Sequence, residues 1–134
     1  MLIDARTIPH GKVIHTDLCI VGAGAAGITL ARDFIGQRFR VCLLESGGLE
    51  FDEDTQSLYD GEIVGLPYTA LKAARVRYFG GTTSHWGGWC RPLDEIDFET
   101  RDWVPHSGWP FSKSHLDPYY ERAQSIFQLG RFRY

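Results

Sequence analysis

Residues 16–21 read T-D-L-C-I-V, an apolar run that stops at Gly22, and the pattern returns at residues 40–45 as R-V-C-L-L-E before Ser46-Gly47-Gly48. Short apolar runs without alternation suit strands buried on both faces of a parallel sheet. Between them Ala25, Ala26, Ile28, Leu30, Ala31, Phe34 and Ile35 mark residues 25–35 as a stretch of good helix formers, with Arg32-Asp33 toward one end and Gly36 as a stop. The pattern predicts a strand–helix–strand unit of about 30 residues, and so an α/β fold.

The periodicity then breaks. Residues 49–77 are mixed and acidic, with Glu50, Asp52, Glu53 and Asp54 close together, and read as a solvated connection into short helical or extended pieces with no legible chemistry. Residues 78–108 contain F-G-G-T-T-S-H-W-G-G-W-C-R-P-L, which has neither helical nor strand period. Irregular segments this long are more often functional than filler. A helix is predicted in the last zone, with Asp117 as cap, Pro118 at the first helical position, and Tyr120, Ala123 and Phe127 on one face before Gly130. Trp103, Trp109, Tyr119 and Tyr120 are assigned to packing.

At 134 residues the chain is one small domain or the first part of a larger protein. Its 43% hydrophobic content excludes disorder, and no apolar run is long enough to cross a bilayer. Lys and Arg number 14 against 17 Asp and Glu, without a basic block, so nucleic acid is not an expected partner. Cys19, Cys42 and Cys90 have no C-x-x-C spacing, which argues against a disulfide framework or a metal site. The first two lie in the strand-like runs, where a free cysteine is expected to be a small buried hydrophobe. No secretory signal is read at the N-terminus, which makes the cytoplasm the default compartment.

The chemistry begins at Gly22-Ala23-Gly24-Ala25-Ala26-Gly27, a G-x-G-x-x-G placed after the first strand and before the helix. Gly22 allows the tight turn, Gly24 lets a pyrophosphate approach the backbone, and Gly27 lets the helix lie against the sheet. Free N–H groups at the helix start, aided by the helix dipole, then face the diphosphate. An acidic residue is expected at the end of the second strand for the ribose hydroxyls, and Glu45 stands 18 residues after Gly27. An acid there disfavours the 2′-phosphate of NADP and leaves NAD and FAD open.

The segments D-L-C-I-V-G-A-G-A-A-G-I-T-L-A-R, L-L-E-S-G-G, F-G-G-T-T-S-H-W-G-G and G-W-P-F-S-K-S-H-L-D-P-Y-Y-E-R-A-Q, in this order, resemble the glucose–methanol–choline family of FAD-dependent oxidoreductases. The resemblance runs over residues 16–130, and the S-H-W loop is most similar to the pyranose oxidase, fructose dehydrogenase and gluconate dehydrogenase branches. It implies the N-terminal part of a Rossmann-like FAD-binding fold: the strand–helix–strand unit, a long irregular flavin-contacting loop and a C-terminal helix. Residues 1–15 would be an extension and residues 16–134 a partial FAD-binding domain. Gly22, Gly24, Ala25, Ala26 and Gly27 would serve the diphosphate, Glu45 and Ser46 the adenosine side. Gly81, Thr82, Ser84, His85, Trp86 and Gly87 would lie in the loop beside the isoalloxazine. His85 matches the position of covalent flavin attachment in the pyranose oxidase branch, while Gly87 and Gly88 follow Trp86 where that branch carries a hydroxyl residue; covalent and non-covalent binding both stay open.

The implied reaction is oxidation of CH–OH groups of sugars or alcohols by hydride transfer to flavin N5, with oxygen, a quinone or a cytochrome subunit as acceptor. The family's substrate domain and catalytic base are expected beyond Tyr134, and His10, His15, His106 and His115 match no catalytic position. The chain is therefore expected to be an incomplete, inactive fragment. A non-catalytic truncated remnant and a fragment of an NAD-dependent dehydrogenase are the alternatives.

Overall fold

The computed structural model describes residues 1–134. They form two compact units, Met1–Trp86 and Gly87–Tyr134. The architecture is small and mixed α/β. No helix is long and apolar enough to cross a membrane.

In the first unit β1 (Leu18–Val21), α1 (Ala25–Asp33) and β2 (Val41–Leu44) follow the predicted order. β1 and β2 pair in parallel with Leu18 opposite Val41 and Val21 opposite Leu44. The ladder is extended at one end by the Asp17 N–H on the Arg40 carbonyl (2.9 Å) and at the other by the Gly22 N–H on the Leu44 carbonyl (2.7 Å). The regular pairing stops at Leu18 because the Arg40 N–H goes to the Asp17 carboxylate at 2.8 Å instead of a main-chain carbonyl, while the Thr16 hydroxyl donates to the Arg40 carbonyl. α1 ends two residues short of the expected Ile35: the Phe34 and Ile35 amides turn back to Ala31 and Arg32, and Gly36 follows with φ +79°.

The expected burial of both strands is corrected. Ile20 and Ala23 are buried, but Val21 is 81% exposed and Cys19 is exposed, with Cys42 half-buried. β2 pairs with the edge of β1, and α1 alone is too little to cover both faces of the pair. The acidic connection holds two short helices, α2 (Glu53–Ser57) and α3 (Leu71–Ala74). Asp52 caps α2, its carboxylate accepting the Thr55 N–H at 2.7 Å, and Lys72 pairs with Asp60 at 2.8 Å. The glycine-rich segment that lacked any period contains a 3-10 turn at Gly81–His85.

The second unit is built on turns. A capping box of Asp94 and Asp97 starts the 3-10 turn Glu95–Phe98, which buries Phe98 beside Phe111, whose ring also meets Trp109. α4 (Asp117–Ile126) starts one residue early: Asp117 is its first residue rather than its cap, because Leu116 already has helical dihedrals after the 3-10 turn Lys113–His115. Asp117 instead approaches Lys113 at 3.6 Å. Of the aromatics assigned to packing, Tyr120 stacks on Phe132, whereas Trp103, Trp109 and Tyr119 are 76%, 55% and 63% exposed, Trp109 keeping a ring contact with Phe111.

Candidate functional site

The tight turn out of β1 places Gly22 at φ +99°, a left-handed conformation that costs a residue with a Cβ about 1–2 kcal/mol. Gly27 sits against it: a Cβ there would collide with the Gly22 carbonyl oxygen and lie 3.4 Å from the Ile20 side chain. Helix and strand therefore touch through a hydrogen atom. Gly24 differs, because it has ordinary extended dihedrals and nothing within 4 Å of an added Cβ. It is the N-cap of α1 but supplies no side-chain cap, so the first-turn amides of Ala25, Ala26 and Gly27 lack a capping side chain.

Glu45, just past β2, holds this loop from the other strand. One carboxylate oxygen accepts the Ala23 N–H at 2.8 Å and the other the Gly47 N–H at 3.0 Å, with the Ser46 hydroxyl at 3.3 Å. Partial burial pushes its carboxyl upward, but hydrogen bonds from Gly47, Ala23 and Ser46 outweigh that and hold it below the ordinary value. This loop clamp was missed by the sequence reading, since it depends on where β2 delivers the side chain. A carboxylate offers about four acceptor sites, so the clamp leaves room for a further hydroxyl.

The third segment comes back to the first. Gly80 and Gly24 form an isolated parallel bridge in which the Gly80 N–H donates to the Ala23 carbonyl at 2.8 Å. Gly81 approaches so closely that its Cβ would lie 3.2 Å from the Gly24 Cα. Within the turn the Thr83 hydroxyl donates to the Gly80 carbonyl at 2.6 Å, the Thr82 hydroxyl oxygen accepts the Val76 N–H at 3.2 Å, and Ser84 abuts Gly80. His85 ends the turn exposed, and Trp86, next along, is 41% exposed. The structure thus brings together Gly22, Gly24, Ala25, Ala26, Gly27, Glu45, Ser46 and the Gly81–His85 turn. Gly87 opens the second unit, which also contains Trp89, 93% exposed. No group of three or more metal-ligating side chains is present.

Another residue in the unit was hidden in the acidic stretch. Gln56 is 5% exposed, and its amide reaches across to residues 72–77.

The chain is 31% identical over 123 residues to 6'''-hydroxyparomomycin C oxidase of Streptomyces lividus, covering 78% of this chain and 21% of the oxidase. It spans about a fifth of that relative's length. No protein-family profile and no solved structure matches it. The likeness is to an oxidoreductase.

Proposed function

We propose that this chain is the FAD-binding portion of a glucose–methanol–choline-type oxidoreductase acting on CH–OH groups of sugars or alcohols, with β1, α1 and β2 as the start of a Rossmann-like fold. The observation that carries the reading is the convergence of two distant backbone segments, Gly80-Gly81 upon Ala23-Gly24. A glycine loop alone would serve any dinucleotide, but a nicotinamide enzyme has no use for a second glycine-rich segment bonded to the first. The likeness to an oxidase points the same way.

The residues present fit the cofactor. The space over Gly24 is open to a diphosphate, and the uncapped first-turn amides of α1 would donate to it. Glu45 and Ser46 would take the adenosine ribose, and the Gly81–His85 turn with Trp86 would face the ring side, His85 being exposed for contact or attachment. When bound, FAD supplies the acceptor for a hydride leaving a carbinol carbon and passes the electrons to oxygen, a quinone or a cytochrome partner. No side chain of this chain is assigned the removal of the hydroxyl proton, so its own task is to bind and orient.

The test is titration of FAD with the purified chain and with Gly24→Ala, read by flavin fluorescence. The new methyl meets no protein atom and needs no unusual dihedral, so stability should change by less than about 1 kcal/mol. FAD affinity should fall by about tenfold or more, because the backbone no longer admits the diphosphate. Equal affinity in the two proteins would refute the site. Better protection against unfolding by NADH than by FAD would shift the reading to a nicotinamide dehydrogenase. A folded chain that binds neither would be a non-catalytic segment.

A further inference from the structure

The amide of Gln56 is fully employed at a distance from its own helix. Its Nε2 donates to the carbonyls of Lys72 and Arg75, both at 2.7 Å, and its Oε1 accepts the Arg77 N–H at 3.0 Å. Two donors and an acceptor are satisfied by main chain alone, inside a site that is 95% closed to solvent. Beyond Arg77 the same strand of chain continues to Phe79, whose N–H donates to the Gly48 carbonyl at 2.9 Å, and to Gly80 on Ala23. The Arg77 guanidinium lies 4.1 Å from the Tyr59 ring centroid and donates to the Ser46 hydroxyl at 3.1 Å. Gly47 passes so close to the Arg77 carbonyl that no Cβ fits between them.

We infer that Gln56 is the positioning residue of the nucleotide site: it fastens residues 72–81 as a strap, so that Gly80-Gly81 arrive on Ala23-Gly24. Resting on the FAD reading above, the inference adds a residue that acts on the site through the strap without touching the ligand. An apolar side chain of the same size would fill the volume but orphan two carbonyls and an N–H. A carboxylate would repel the two carbonyls, whereas its protonated form would donate to one and accept the Arg77 N–H with its other oxygen. Among the charged neighbours, Lys72 pairs with Asp60, Arg77 lies on Tyr59 and Ser46 with its Nε buried and unpartnered, Asp52 caps α2, and Glu53, Asp54 and Arg75 are exposed.

The experiment measures amide hydrogen-exchange protection and FAD affinity in the full chain, in Gln56→Met and in Gln56→Glu. In Gln56→Met the amides of Arg77, Phe79 and Gly80 should lose about tenfold or more of their protection, with Gly22 and Ile28 unchanged and FAD weakened in parallel. In Gln56→Glu protection and affinity should be close to wild type near about pH 5 and fall near about pH 8, as the buried carboxyl ionises. Wild-type protection in Gln56→Met, pH-independent behaviour in Gln56→Glu, equal loss at Gly22 and Ile28, or release of the strap with unchanged FAD affinity would each overturn it. If the wild-type chain binds no FAD while the exchange pattern holds, the fastening stands and the cofactor assignment is what fails.

Discussion

One added methyl group separates the tasks of neighbouring glycines. Gly24→Ala should spare the fold, while Gly27→Ala drives a carbon into the Gly22 carbonyl and must push α1 off β1. The expected cost is about 3 kcal/mol, read as a fall in the urea midpoint; a cost within about 0.5 kcal/mol would show that helix and strand do not touch there. Glu45 gives a prediction in pH. Its carboxyl lies below the ordinary value of 4.5 in the folded chain, so its stabilisation is fully present above that value and is lost as pH falls through the lowered one. Gln cannot titrate and cannot accept both N–H groups. Glu45→Gln should therefore be less stable than wild type at neutral pH, and the gap should narrow on acidification below 4.5. A gap of constant size across that range would remove Glu45 from the clamp.

At the level of elements, the short helix α2 depends on its cap. Asp52→Ala removes the acceptor for the Thr55 N–H and should cost about 1 kcal/mol, seen as faster exchange within α2 and, through Gln56, at Arg77. Unchanged exchange at Arg77 would mean the strap is held without α2. The β1–α1–β2 unit was legible in the sequence because strand composition, glycine turn and helix stop are local signals within some dozen residues of one another. The joints between segments were not. Glu45 on Ala23, Gln56 on Arg77 and Gly80 on Ala23 link residues more than 20 apart, and their hydrogen bonds have no periodicity to read. Even the ends of elements moved for this reason: the pairing of β1 stops at Leu18 because the Arg40 N–H goes to the Asp17 carboxylate instead of a main-chain carbonyl. The expected burial of the strands failed differently, since an apolar strand announces that something should cover it without saying that the covering lies in these residues.

Across the whole molecule large apolar side chains stay uncovered, with Val21, Ile35, Leu44 and Trp89 all open to solvent, and both edges of the parallel pair lack a neighbouring strand. Parallel sheets are ordinarily covered on both faces. Between the units, residues 85–89 are exposed and include two glycines and two tryptophans. Brief chymotrypsin treatment should nick the chain after Trp86 or Trp89 and within the exposed residues 61–70, which mass spectrometry would locate; first cleavage within β1 or α1 would contradict this division. A different stretch is suited to engineering. Residues 61–70 are exposed throughout, and the Asp60–Lys72 ion pair draws their two ends together. Because lengthening a closed loop adds only about 0.6 kcal/mol per doubling, a reporter peptide or affinity tag spliced in near Gly65 should leave the neighbouring architecture standing.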